Sequence, residues 1–156
     1  MKRYCLGVDW ADEFHQVWVS DPQGKKVAEM KVEQRPKGMS ELGRWLHERK
    51  AEGIELWAGI EKPHGRIVDF LLDHGVVVYP INPKALDRAR DRFRMSQSKS
   101  DSFDAYVLAE FVRTDHAHLR ALQPDSDEAQ ALKMLTRDHY RLVRHKTRLL
   151  NQIEVT

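Results

Sequence analysis

In the stretch SKSDSFDA, residues 98–105, Asp101 and Asp104 stand three positions apart. That spacing puts both on one face of a helix. Two roles compete for the pair. Ser98 followed by Asp101 fits a capping-box-like helix start, and an acid in the first helical turn favours the dipole. The same oxygens also suit a metal ion. Two more acids bear on the choice: Asp9 ends an apolar run in GVDWAD, and Glu61 ends another in WAGIEKPHG. Acids are poor strand material, so each is expected at the C-terminal end of its strand. That is the edge where open α/β sheets place their sites. If the two strands are parallel neighbours, Asp9 and Glu61 face each other, and a helix packed on the sheet brings Asp101 and Asp104 to them. Four gathered carboxylates repel unless cations neutralise them. Hard oxygen donors suit Mg²⁺ or Mn²⁺ rather than zinc. Two such ions, about 3.5–4 Å apart, activate a nucleophile and stabilise a leaving oxygen in phosphodiester chemistry.

The elements that must position these acids follow from apolar periodicity. Residues 3–9 read as an apolar strand, and 14–20 and 26–33 as alternating strands, with short connections that make an antiparallel meander. Residues 36–50 carry a helical spacing at Met39, Leu42, Trp45 and Leu46, closed by Gly53. A strand over 54–61, a short helix over 65–75 and a buried strand over 76–82 follow. Pro83 opens a helix that runs to Phe93. After the polar stretch RMSQSKS a helix is expected over 101–113, and a long helix from residue 127 to the end. Strands joined through helices run parallel under the right-handed crossover rule. The expected class is α/β: a mixed five-stranded sheet flanked by helices, in the element order of the ribonuclease H-like fold, followed by a long C-terminal helix. Residues 1–122 would form the domain and 123–156 the start of the long helix.

Composition narrows the function classes. The chain of 156 residues is 41% hydrophobic, enough for one ordinary domain with a real core. It has no run of 18 apolar residues and no signal-peptide core. The lone Cys5 cannot form an internal disulfide, so a reducing, cytoplasmic setting is expected. The net charge is only +2, but residues 84–99 carry a surplus of four positive charges and 133–149 a surplus of five, against −7 elsewhere. Such clusters suit a phosphate-binding surface, with a solvated helix face as the competing reading. They single out Lys84, Arg88, Arg90, Arg92, Arg94 and Lys99, then Arg137, Arg141, Arg144 and Arg148. In the long helix Leu135, Leu142 and Leu149 recur every seven residues, with Leu132, His139, Lys146 and Ile153 between them. This is a leucine ladder with two polar interleaved positions, compatible with a coiled coil of specified partner; packing on its own domain is the alternative. No helix-stop signal precedes Thr156, so the chain is expected to end inside that element.

Three segments, GVDWAD, GIEKPHG and INPKALDRARDRFRMSQSKSDSFDAYVLAEF, together resemble the DEDD-type transposases. These are insertion-sequence recombinases and Piv-like DNA invertases with a RuvC-like amino-terminal domain. The resemblance spans essentially the whole chain, and its most specific part is the Asn-Pro, basic helix and Lys-Ser-Asp run with a second Asp-Ala. It implies a catalytic and metal-binding tetrad at Asp9, Glu61, Asp101 and Asp104, with Mg²⁺ or Mn²⁺, two ions, as cofactor. It also implies DNA as partner, a structured guide RNA, and a homodimer or higher oligomer through the C-terminal helix. Family members carry a further serine-containing domain beyond the coiled coil, so this chain reads as an amino-terminal portion that does not exchange strands alone. Many members have a small residue, Thr and Gly after the glutamate, where this chain has Lys62, Pro63 and His64.

His64 is read as a surface histidine or a phosphate contact, and Lys99 as a phosphate contact. His116 and His118 sit at a helix end, where cations complement the dipole. Of the four tryptophans, Trp10 is the one set apart from packing because it follows Asp9. Besides a recombinase domain, two other readings stand: a stand-alone junction-resolving nuclease, and a non-catalytic nucleic-acid-binding and dimerisation module. An actin-like sugar kinase would need a second domain and phosphate loops that the sequence does not supply.

Overall fold

The computed structural model describes residues 2–94, 102–123 and 127–155. The chain divides into two units, residues 1–122 and 123–156. In the first, β1 (Arg3–Asp9), β2 (Phe14–Ser20) and β3 (Lys26–Glu33) form the meander, followed by α1 (Pro36–Ala51) and β4 (Glu55–Ile60). Then come α2 (Arg66–Asp73), β5 (Val77–Pro80), α3 (Pro83–Phe93) and α4 (Phe103–Asp115), with a 3₁₀ turn at His116–His118. The sheet order is β3-β2-β1-β4-β5. β2 is antiparallel to both β1 and β3, whereas β1, β4 and β5 run parallel. This is the mixed five-stranded sheet expected from the element order.

Local chemistry sets the element boundaries. Pro83 occupies the first turn of α3, and the Asn82 side chain accepts a hydrogen bond from the Lys84 amide at 2.8 Å, a combination that starts a helix without leaving that amide orphaned. β5 is shorter than the apolar run 76–82 suggests: the Ile81 amide makes a last ladder bond to the Ile60 carbonyl, and Asn82 then caps α3. α4 begins at Phe103, so Asp104 lies in its first turn. Asp101, with the Ser98 cap expected beside it, lies outside the described residues.

The period-2 pleat sorts the sheet residues onto two faces. Tyr4, Leu6 and Val8 of β1 join Leu56, Ala58 and Ile60 of β4 in a core covered by Leu42 and Leu46 of α1 and Ile67, Val68 and Leu71 of α2. Cys5 lies in the opposite core with Leu86 and Ala89 of α3 and Val107, Leu108 and Val112 of α4. Gly7 and Gly59 are register partners on the parallel strands β1 and β4. Together they form a bare trench in which α4 is seated: a Cβ on Gly59 would meet the Leu108 carbonyl oxygen at 2.8 Å.

The second unit contains α5 (Asp127–Val155). Its Leu132, Leu135, Leu142, Leu149 and Ile153 are exposed. Among the described residues no helix is long and apolar enough to cross a membrane.

Candidate functional site

Asp9 is the last residue of β1, two positions beyond Gly7, and the pleat gives both the same face. That is the face occupied by α4. Glu61 follows β4 by one residue and lies two beyond Gly59, so its position continues the same face on the neighbouring strand. Asp104 precedes Ala105, whose carbonyl rests over Gly7. The seat of α4 on the glycine trench therefore brings Asp104 to the C-terminal ends of β1 and β4.

The electrostatics of Asp9 record the convergence. Its carboxyl is pushed above the usual carboxylate value by burial first, then by the negative charges of Asp104 and Glu61, with Arg90 opposing them. Asp104 is held by the Arg90 guanidinium in a bidentate pair, Nε to Oδ1 at 2.8 Å and Nη2 to Oδ2 at 3.2 Å. A third nitrogen of the same guanidinium donates to Asp87 one turn earlier in α3. Glu61 is exposed. Among the described residues no three His, Cys, Asp or Glu side chains are close enough to hold an ion; Asp101 is not among those residues.

Two aromatic contacts brace the loops that carry the acids. The Lys62 ammonium lies 3.5 Å from the centre of the Trp10 ring, joining the residue after Glu61 to the residue after Asp9. Beneath Trp10, the fully buried His15 accepts a hydrogen bond from the Ala11 amide at 3.4 Å through Nδ1, and its Nε2 pairs with Gln34. His15 thus fixes the turn from β1 into β2. Two hollows in the domain, one bounded by His47, Lys50, Ala51, Asp73, His74 and Gly75 and one by Asp12, Glu13, Phe14, Glu33, Gln34 and Arg35, include none of the acids named above.

The basic residues picked out by charge separate into two groups. Lys84 and Arg88 are exposed on α3. Arg92 pairs with Asp115 at 3.0 Å and donates to Thr114, and Arg94 lies 3.9 Å from Asp91. Arg90 is turned inward to Asp104. Arg137, Arg141, Arg144 and Arg148 are exposed on α5, and Arg144 lies over the Tyr140 ring. Lys99 lies outside the described residues. His64 is exposed, whereas His116 packs edge-on against Trp57 and bonds the Val112 carbonyl.

Sequence reading took Arg90 for a phosphate contact and Lys62 for a mere departure from a pattern. The signal for Arg90 was present: Leu86, Ala89, Arg90 and Phe93 fall at i, i+3, i+4 and i+7, which puts the arginine on the packing face of α3. Nothing in the sequence signals the Lys62 contact with Trp10, since it joins two loops across parallel strands.

A family model described as a transposase, of the DEDD and IS110 kind, matches residues 6–156. A protein of Sinorhizobium fredii designated as transposase y4uE is 38% identical over 155 residues, covering 97% of this chain and 43% of that protein. A Streptomyces coelicolor protein designated as the mini-circle transposase for IS117 is 37% identical over 152 residues, covering 96% of this chain and 36% of that protein. The chain therefore spans less than half the length of either relative. Among solved structures, the fold is similar to Thermus thermophilus RuvC in complex with a Holliday junction substrate, with a TM-score of 0.55 at 13% identity, over 77% of this chain and 99% of that one. A second Thermus thermophilus RuvC structure gives a TM-score of 0.50 at 11% identity, over 78% and 100%.

Proposed function

The chain belongs to the DEDD transposase family of the IS110 kind, and from that premise we propose that residues 1–122 are the metal-dependent catalytic domain of a DNA transposase. Asp9, Glu61, Asp101 and Asp104 are its acidic tetrad. The observation that carries this reading is the seat of α4 on Gly7 and Gly59, which brings Asp104 to the C-terminal sheet edge where Asp9 ends β1 and Glu61 follows β4, the usual place for a site in such folds. A protein gains no stability from gathered like charges, so their convergence points to a cation.

The donor set fits a hard divalent ion. Each candidate ligand is a carboxylate, a hard oxygen donor, which favours Mg²⁺ or Mn²⁺. Asp9, Glu61, Asp101 and Asp104 would hold two such ions, which when bound supply activation of a nucleophile and stabilisation of the leaving oxygen in phosphodiester cleavage. The chain's own residues do the positioning: the glycine trench sets α4 against the sheet, and the Lys62 contact with Trp10 ties the two acid-bearing loops. Lys84 and Arg88 on α3 grip DNA phosphates, as in the second unit do Arg137, Arg141, Arg144 and Arg148 on α5, and a structured guide RNA is a further partner. Phosphate contacts of this kind make binding strongly salt-dependent. The α5 leucines join copies of the chain.

A second reading has one observation in its favour. The bidentate Arg90 pair already satisfies Asp104, as a structural acid in a nucleic-acid-binding and dimerisation module would require. Calorimetric titration of the chain with Mg²⁺ and Mn²⁺, beside the Asp9→Asn and Asp104→Asn variants, decides between the two. Saturable binding lost in both variants supports the catalytic reading. No binding, with or without DNA, supports the structural one.

A further inference from the structure

Arg90 holds Asp104 in a way that bears directly on how an ion reaches it. Its Nε and Nη2 take one carboxylate oxygen each, at 2.8 Å and 3.2 Å, so both oxygens of Asp104 are engaged. A divalent ion bound through Asp104 needs at least one of those oxygens at close range. A guanidinium cannot remain in its fork-on-fork geometry beside such an ion without strong repulsion. We propose that Arg90 is an exchangeable counter-ion for Asp104: it neutralises and positions the carboxylate while no ion is bound, and divalent metal binds by displacing it. This rests on the carboxylate-metal reading given above.

Three features fit a displaceable pair rather than a permanent one. The side chains of Arg90 and Asp104 remain 29% and 36% exposed, so water can take over the solvation of the released groups and the pair is only moderately strong. Asp87, one turn back on α3, already accepts from another nitrogen of the guanidinium, so a displaced Arg90 keeps an anionic partner. Arg90 also sits on the packing stripe of α3 between the buried Leu86 and Ala89 and the half-buried Phe93. Its stem is therefore anchored, and only the guanidinium has to move. A lysine would give Asp104 one point charge in place of two directed bonds.

The competition has a direct readout in metal affinity. Mn²⁺ alone is titrated calorimetrically into the 156-residue chain and into its Arg90→Gln, Arg90→Lys and Asp104→Asn variants, each checked for native circular dichroism. Arg90→Gln is expected to bind Mn²⁺ about tenfold more tightly than the parent, because the ion no longer displaces a bidentate charge-assisted pair. Arg90→Lys is expected to fall between them, and Asp104→Asn to abolish binding. If Arg90→Gln fails to fold, the lysine variant carries the comparison. Affinity in the Arg90 variants equal to or weaker than the parent, with binding still lost in Asp104→Asn, overturns the counter-ion role and leaves the metal reading standing. Failure of every chain to bind Mn²⁺ overturns both.

Discussion

Gly7 and Ala105 meet with no side chain between them: a Cβ on Gly7 would lie 1.7 Å from the Ala105 carbonyl oxygen and 2.6 Å from the Ala109 amide. That contact sets the height of α4 above the sheet. Asp9 lies two residues along β1 from one partner, and Asp104 is the immediate neighbour of the other. The distance between the two acids is thus fixed by backbone against backbone, the stiffest kind of contact a fold can offer. Trp18 closes the far side of the same seat, edge-on to Tyr106 with ring centres 5.2 Å apart.

Gly7→Ala therefore has no rotamer that relieves it, since the obstacle is main chain. The variant is expected to lose at least about 3 kcal/mol of stability, at the upper end of overpacking costs, or not to fold. Urea unfolding followed by circular dichroism reads this. A loss below about 1 kcal/mol would mean that α4 can lift from the sheet, and the fixed spacing of Asp9 and Asp104 would have to be abandoned.

The Trp10 and Lys62 contact ties the two loops that follow β1 and β4. A double-mutant cycle with Trp10→Leu and Lys62→Met keeps the apolar packing of both stems while removing the ring face and the charge. A coupling of about 0.5–1 kcal/mol is expected, the value for an exposed cation–π pair. Additive effects would show that the loops are held by other contacts and that Lys62 is free for phosphate.

Sheet and helices were readable because apolar periodicity is a local signal. Residues 14–20 alternate so that Val17 and Val19 enter the core, and Asn82-Pro83 marks the start of α3 whatever packs on it. The convergence of Asp9, Glu61 and Asp104 was readable one step further on, because strand ends and the crossover rule bring sequence-distant positions to one edge. What escaped was set by tertiary packing. Charge counting treated Arg90 and Arg92 alike, yet one faces Asp104 and the other Asp115. Glu61 was expected to end its strand and instead stands one residue past it, since the ladder to β5 stops at Ile60 and Pro80.

Burial pushes the Cys5 thiol up to about 11, with Arg3 and Arg113 pulling weakly the other way. The folded state therefore keeps the thiol proton to higher pH than the unfolded chain, whose value is near 9. The stability this contributes is fully present below pH 9 and is lost as pH rises toward 11, by roughly 2–3 kcal/mol. Cys5→Ala removes that slope, so the difference in urea stability between parent and variant should narrow or reverse over this range. A difference independent of pH would show that the thiol titrates normally. At neutral pH the buried thiol should also resist a water-soluble thiol reagent until the chain unfolds.

The last expectation concerns α5. Leu135 and Leu142 stand 67% and 68% exposed, one heptad apart, and Thr136, Val143 and Leu150 recur beside them with the same period. A leucine ladder flanked by a second, largely apolar row gives a stripe wider than a simple two-stranded seam. Isolated apolar stripes of this kind are costly in water, so the chain is expected to self-associate through α5 at micromolar concentration, which sedimentation velocity would detect. Leu135→Asn with Leu142→Asn should shift the chain to monomer while leaving the melting of residues 1–122 within a few degrees of the parent. His139 and Lys146 occupy the interleaved positions of the ladder, where a charge facing its own copy is repulsive. Association that survives the double asparagine variant would place the self-contact elsewhere on the chain and remove the ladder from the argument.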